Sequence, residues 1–325
     1  MDQSATKSKA ASTRAAEIKA ALTAAARITP LQPVPAKRRP RLRQRPAAQP
    51  AAGQLLASAL EKSGFDAAAF ERMQAEARAE MQRKAEAQRA DALRNSAAAR
   101  AAMSADVEAR RKVIERLVAS TNTAAIAQAP QVVLDEPFLI WPATSPPGLV
   151  WGGSQIEPWN SWAKFRIDST AAYGEAEIRF YFLWESSSDQ LVVFNASSWL
   201  MFSGYCQVDI QGHWWETEWS GIEISAELGL MEPPPGIAKP SDSENVFDLN
   251  LDKPSFGSYI SPWGERVFRT AVLEADGALV IPQGWVVIMV SALLQWGSSS
   301  GGIEADFNSG DFEVMCPFVE IQVVS

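Results

Sequence analysis

The 325-residue sequence has one histidine, two cysteines and no tryptophan before position 141. With His213 as the only imidazole, a multi-histidine metal centre is excluded, and any Ser-His-Asp or Cys-His catalytic arrangement has to use that one residue. Cys206 and Cys316 both stand in apolar runs, with neither metal-ligand spacing nor the density of a disulfide framework. They are expected as buried free thiols, with a single optional bridge as the most they allow. The strongest apolar run, residues 285–294, is far short of the ~20 residues of a membrane-spanning helix. The N-terminus has no apolar run before a small-residue cleavage site, so no signal peptide is read and a cytoplasmic location is the default expectation. No Gly-rich loop follows a strand, and residues 306–311 depart from the calcium-loop pattern in the placement of Gly310 and Asp311. No cofactor and no metal are therefore expected.

Charge divides the chain in two. Residues 1–120 hold 23 Lys and Arg against 12 Asp and Glu, a balance of +11, while the remainder carries 7 against 26, or −19. Aromatics divide the same way: before residue 121 there are only Phe65 and Phe70, so a large core is possible only in the second half. Residues 1–53 read as an Ala/Pro-rich basic arm that six prolines between positions 30 and 50 keep from forming a long helix. Within it Lys37, Arg38, Arg39, Arg41, Arg43 and Arg45 form a cationic run with no acid. Such a run attracts phosphate of any kind, and a non-specific polyanion contact by the arm is the expected partner interaction.

Residues 54–120 read as a long Ala/Glu/Arg-rich helical stem. Asp66 is placed as its N-cap, with Phe65 and Phe70 as a hydrophobic staple. Glu80 and Lys84, and Glu108 and Lys112, add i,i+4 pairs; Asn95-Ser96 and residues 104–106 are the expected interruptions. Between Met81 and Met103 the apolar stripe holds only Leu93 and alanines, so no leucine heptad is present. Two expectations follow for residues 65–119, either homo-oligomerisation through alanines or a solvated spacer, with the spacer preferred.

After a linker at residues 121–131 the pattern becomes short β-rich runs, and residues 132–325 are predicted to form an acidic, Trp-rich antiparallel β-sandwich of jelly-roll or Greek-key type. Nine strands are expected, at 132–141, 163–168, 175–184, 190–194, 198–210, 214–228, 265–273, 285–296 and 312–324. Across residues 175–184, Ile178, Phe180, Phe182 and Trp184 alternate with Glu175, Glu177, Arg179 and Tyr181, which places the first set on the core and the second toward water. Residues 285–296 are apolar at both parities and should form a central strand covered on both faces. Residues 231–250 are expected as a long irregular connection and residues 297–302 as a flexible turn.

Two constellations could carry function. Trp141, Trp151, Trp159 and Trp162 fall in a Pro/Gly-rich stretch that could present indoles to a ligand at a sandwich rim. Glu216 and Glu218 stand two apart, which on a strand is ~6.5 to 7 Å, near the separation of glycosidase carboxylate pairs. That spacing is similar to the acidic catalytic strand of jelly-roll endoglucanases. It departs from that family in having Glu218 at the middle acid and Gly221 where a second Glu belongs. The leading expectation is a non-enzymatic binding or structural protein with a β-sandwich head on a helical stem. A glycan hydrolase using Glu216 and Glu218 is the alternative. A second alternative is a shell-forming protein, because a basic arm before a sandwich resembles the layout of jelly-roll capsid subunits.

Overall fold

The computed structural model describes residues 13, 16–21, 23–24, 50–121, 131–212, 215–231, 241–253 and 261–324. The cationic run at 37–45, His213, most of the expected linker and part of the 231–250 connection lie outside them. From residue 50 on, the described chain begins with α1 (Pro50–Lys62), α2 (Ala67–Arg94) and α3 (Ser96–Thr121). Asp66 caps α2 by accepting the Ala69 amide at 2.8 Å, and the Phe65 and Phe70 rings meet at 5.7 Å, as the sequence predicts. The break between α2 and α3 falls at Asn95, whose backbone and side-chain N–H groups both turn back to the Asp91 carbonyl.

Two antiparallel sheets form a sandwich. Sheet B has the order β2 (Leu139–Pro142), β5 (Gly174–Glu185), β10 (Trp285–Ser298), β7 (Glu218–Met231) and β8 (Ser241–Lys253). Sheet A is organised around β6 (Val192–Ile210). One edge of β6 pairs along β9 (Trp263–Val280), and the other pairs in turn with β13 (Val319–Val323), β12 (Glu313–Met315) and β11 (Gly301–Phe307). Strand β4 (Trp162–Ser169) pairs with β11 and β12, β3 (Leu149–Gln155) with β4, and β1 (Gln131–Leu134) with β13. Ile178, Phe180, Phe182 and Trp184 enter the core between the sheets together with Phe165, Phe194, Phe202 and Phe307. Strand β10 is central in sheet B and buried on both faces, as its apolar pattern requires.

Several expectations need correction. Residues 104–106 do not interrupt α3, which runs from Ser96 to Thr121, and the strand expected at 132–141 is two, β1 in sheet A and β2 in sheet B. The 231–250 stretch is not irregular throughout, because residues 241–253 form β8 and pair along β7. Residues 301–307 form β11 where a flexible turn was expected to continue to Gly302. The expected strands 190–194 and 198–210 are one strand, β6, with a register irregularity against β9 between Phe194 and Ala196.

The long helix is not a solvated spacer. It lies across the outer side of sheet A, antiparallel to β6, on a seam of Ala85, Ala92, Ala99, Met103, Val107 and Ile114, all buried. Alanines at seven-residue intervals let the backbone approach so closely that the Tyr205 hydroxyl donates to the Ala85 carbonyl at 3.0 Å. Burial pushes the pKa of that hydroxyl up to about 12. Beside the seam runs a ladder of ion pairs. Arg78 meets Asp209 at 2.5 Å, Arg89 meets Asp306 at 2.7 Å and Glu304 at 2.9 Å, and Arg100 meets Glu313 at 3.2 Å. Arg110 holds both oxygens of Glu320, at 2.7 and 2.8 Å. Arg78, Arg89 and Arg100 are eleven residues apart, three helical turns, and so share one face. Burial raises the carboxyl pKa of Glu304 and Glu313 despite these arginines, whereas at Asp306 hydrogen bonds from Ser309, Asn308 and Arg89 overcome burial and lower it.

Among the described residues no helix is long and apolar enough to cross a membrane, and no group of three or more acidic, histidine or cysteine side chains is placed to hold a metal ion. Cys206 and Cys316 are free and buried. Burial raises both thiol pKa values, Cys316 to about 12.

Candidate functional site

The helices occupy the outer side of sheet A, so the outer face of sheet B is the other broad surface of the sandwich. Its residues come from the second parity of each strand, and antiparallel register sets them in rows. One row runs Trp141, Arg179, Ser291, Glu227, Ser243; the next Glu177, Leu293, Ser225, Asn245; the third Glu175, Gln295, Glu223, Asp248. Neighbours within a row are ~4.8 Å apart by sheet spacing. The other half of the face is apolar: Leu139, Tyr181, Val287 and Met289 cluster there with Phe138, Trp141, Leu183 and Trp285 beside them.

The polar half does not point into water, contrary to the simple alternation of β5. Glu177 and Arg179 are each 2% exposed, Glu227 3% and Ser291 0%. Arg179 donates to Glu177 at 2.6 Å. Burial works against the guanidinium charge, but that bond and the Glu177 charge outweigh it and raise the arginine pKa. Gln295 donates to Glu175 at 2.7 Å and to the Tyr173 hydroxyl at 3.2 Å, and Asn245 donates to Glu223 at 3.3 Å. Glu177 Oε1, Ser243 Oγ and Ser291 Oγ are buried with no hydrogen-bond partner among the described residues. Glu223 and Asp248 face each other across β7 and β8. The Glu223 pKa is raised by burial and by Asp248, and that of Asp248 by burial against an opposing hydrogen bond from Asn250. Among the described residues, five carboxylates thus share three rows with one arginine. The arrangement suits a ligand that brings positive charge and N–H groups.

The four tryptophans singled out from the sequence go to three places. Trp141 lies on this face, at the junction of its apolar and polar halves. Trp151, on β3, packs against the core between the sheets. Trp159 and Trp162 come together with Trp199, Met201 and Met315 against Met103 and Val107 of α3. Trp159 adopts φ 62° there, held by its amide's bond to the Asp135 carbonyl at 2.8 Å and by contact with the Phe318 ring at 5.4 Å.

The two glutamates of the hydrolase alternative do not share a strand. Glu216 sits in a bend before β7, and Glu218, the first residue of that strand, is buried against Lys253 at 3.3 Å. The side chains of the sheet B face escaped the sequence reading because a face assembled from β2, β5, β10, β7 and β8 joins residues up to 154 positions apart, from Trp141 to Gln295. The available signal was the outward parity of β5 and the polar interruptions Ser291 and Gln295 in an otherwise apolar strand.

No family model and no curated protein matches the chain. Among solved structures, the carbohydrate-binding module TmCBM61, determined with β-1,4-galactotriose, is 9% identical, with a TM-score of 0.20 over 63% of this chain and 94% of that one. The mannan-recognising module TmCBM27 is 12% identical, with a TM-score of 0.22 over 61% and 99%. A family 35 module from Cellvibrio japonicus Abf62 is 8% identical, with a TM-score of 0.18 over 59% and 92%. Likenesses at this level carry no ligand assignment to the chain, and its sandwich fold rests on its own two sheets.

Proposed function

We propose that the protein is a non-enzymatic binding protein whose outer face of sheet B holds an extended cationic ligand of peptide type. The supporting observation is the three-row patch of Glu175, Glu177, Glu223, Glu227 and Asp248 around Arg179, with buried Ser291 and Ser243 hydroxyls that have no partner among the described residues. Along each strand, side chains of one face recur every ~6.6 to 6.8 Å. An extended peptide repeats at the same interval, so its alternate cations can meet successive carboxylates. Trp141, paired with Arg179 at the junction of the apolar and polar halves, is the aromatic residue at the patch border.

The test is calorimetric titration of the full chain with deca-arginine at low salt, repeated with the double variant Glu175→Gln, Asp248→Asn, which alters the more exposed rim. Affinity should fall about tenfold or more in the variant, a loss of ~1.4 kcal/mol. Equal affinity in both proteins, or a neutral oligosaccharide that binds and is lost in the same variant, would overturn the reading.

A further inference from the structure

We infer a second binding site, for one neutral sugar residue, on the outer side of sheet A beside the docked α3. It stands apart from the face of sheet B, and no residue is common to the two.

The site is built by register and by a bulge. Val133 of β1, Glu320 of β13, Ser197 of β6 and Glu274 of β9 align in one row, and Gln131, Gln322 and Asn195 of the first three strands in the next. Beside Asn195 the fourth strand leaves regular pairing. Phe194 faces Ala278 and Ala196 faces Ala275, so Asp276 and Gly277 together stand opposite one residue. Gly277 takes φ 71°, the left-handed conformation of a glycine bulge, and its amide donates to Asn195 Oδ1 at 2.9 Å. Such a bulge bends its strand and breaks the flatness of the sheet. The result is a cleft of about 190 Å³, lined by the polar members of both rows with Ala196 and Asp276. That is room for roughly six waters at ~30 Å³ each, or for one pyranose ring in their place.

The hydrogen-bonding groups of the cleft select its ligand. Glu320 is buried and neutralised, accepting from Arg110 of α3 at both oxygens and from Gln131 Nε2 at 3.0 Å. Asn195 spends its carbonyl oxygen on Gly277 and keeps its two N–H donors. The side chains of Ser197, Glu274, Asp276 and Gln322 have no hydrogen-bond or ion-pair partner among the described residues. The cleft therefore offers amide donors, carboxylate acceptors and a hydroxyl that does both. A cation brings donors alone and leaves the amide N–H groups unmet, while a phosphate or carboxylate is repelled by Glu274 and Asp276. Sugar hydroxyls donate and accept, and a vicinal pair matches the two oxygens of a carboxylate.

An aromatic border completes the arrangement. Trp199 is the next residue after Ser197 on the same face of β6, ~6.7 Å along the strand, and its partner across the pair is Val272, which is 51% exposed. The half-buried indole is held by the Phe318 ring at 5.4 Å and by Met103 and Val107 of α3. An indole fixed beside a polar cleft gives the C–H face of a sugar ring an apolar surface to pack on.

The test is saturation-transfer NMR on the full chain with the methyl glycosides of glucose, galactose, mannose and xylose, and with methyl glucuronoside as an acidic probe. At least one neutral glycoside should bind, with a dissociation constant on the order of millimolar for a ligand this small, and the glucuronoside should not. The double variant Asp276→Ala, Gln322→Ala, at two exposed positions, should keep its urea midpoint and lose about tenfold or more in sugar affinity. Glu274→Gln, which preserves side-chain size, should weaken binding in the same direction. The sheet B variant Glu175→Gln, Asp248→Asn should bind the sugar as wild type does, so failure of the peptide reading leaves this one standing. Absence of transfer to all four neutral glycosides, equal sugar affinity in the Asp276→Ala, Gln322→Ala variant, or preference for the glucuronoside would overturn the inference. Loss of deca-arginine binding in that variant, with none in the sheet B variant, would make the cleft a cation site and overturn both readings.

Discussion

Replacing Ala92 by leucine separates a docked helix from a free-standing one. Ala92 is 1% exposed and packs against Tyr205 and Phe312. On a solvated helix the change is close to neutral, since alanine and leucine differ by only ~0.2 kcal/mol in helix propensity. Against sheet A, three added carbons have no room, because the alanine seam sets a backbone separation short enough for the Tyr205 hydroxyl to reach the Ala85 carbonyl. Overpacking of this kind costs about 1–3 kcal/mol. Ala90, exposed on the same helix, is the control, with an expected change within about 0.5 kcal/mol. Urea unfolding followed by tryptophan fluorescence reads the difference: with a slope of ~2 kcal/mol/M, a 2 kcal/mol loss moves the midpoint by about 1 M. If Ala92→Leu and Ala90→Leu both leave the midpoint in place, the helix does not rest on the sandwich and the ladder of arginines is incidental.

Because Glu223 and Asp248 have raised pKa values, the folded chain binds protons there more tightly than the unfolded chain does. Their contribution to stability is therefore largest at low pH and falls as pH rises through the raised values. Asp248→Asn should flatten that fall in a pH series of unfolding midpoints and stabilise the chain at pH 7 by up to ~1 kcal/mol, while weakening deca-arginine binding. Glu218→Gln removes one member of the buried pair with Lys253 and should cost about 3 kcal/mol in urea unfolding. An unchanged midpoint would show that the pair is not formed. If all six cations of residues 37–45 contact duplex phosphates, log K for a DNA fragment should fall against log salt with a slope of about −5. Salt-insensitive binding in a filter assay would refute the electrostatic account.

Local chemistry was the most legible part of the sequence. The Asp66 cap, the Phe65 and Phe70 staple and the break at Asn95 depend on residues a few positions apart, and the alternation of β5 marked the core set at Ile178 to Trp184. Strand β8 was hidden because its outward residues Asp248, Asn250 and Asp252 are poor strand formers, although Phe247, Leu249 and Leu251 keep the inward period. Docking of the helix was hidden by alanine, which reads as neutral filler in an apolar stripe yet is the residue that lets a helix backbone approach a sheet. The polar face of sheet B was illegible for a different reason. Glu177, Ser291, Glu227 and Asp248 become neighbours only through register between strands far apart in the chain, and no spacing along the sequence announces it.

Carboxyl footprinting tests the assignment of the binding face most directly. The full chain would be labelled with a carbodiimide and a small amine, with and without deca-arginine, and the modified sites read by mass spectrometry. Binding at sheet B predicts that Asp248 and Glu175 lose label when the peptide is added, while Glu86 and Glu108, exposed on the helices, keep theirs. Unchanged labelling of Asp248 and Glu175 under saturating peptide, with protection at the helix carboxylates instead, would contradict it.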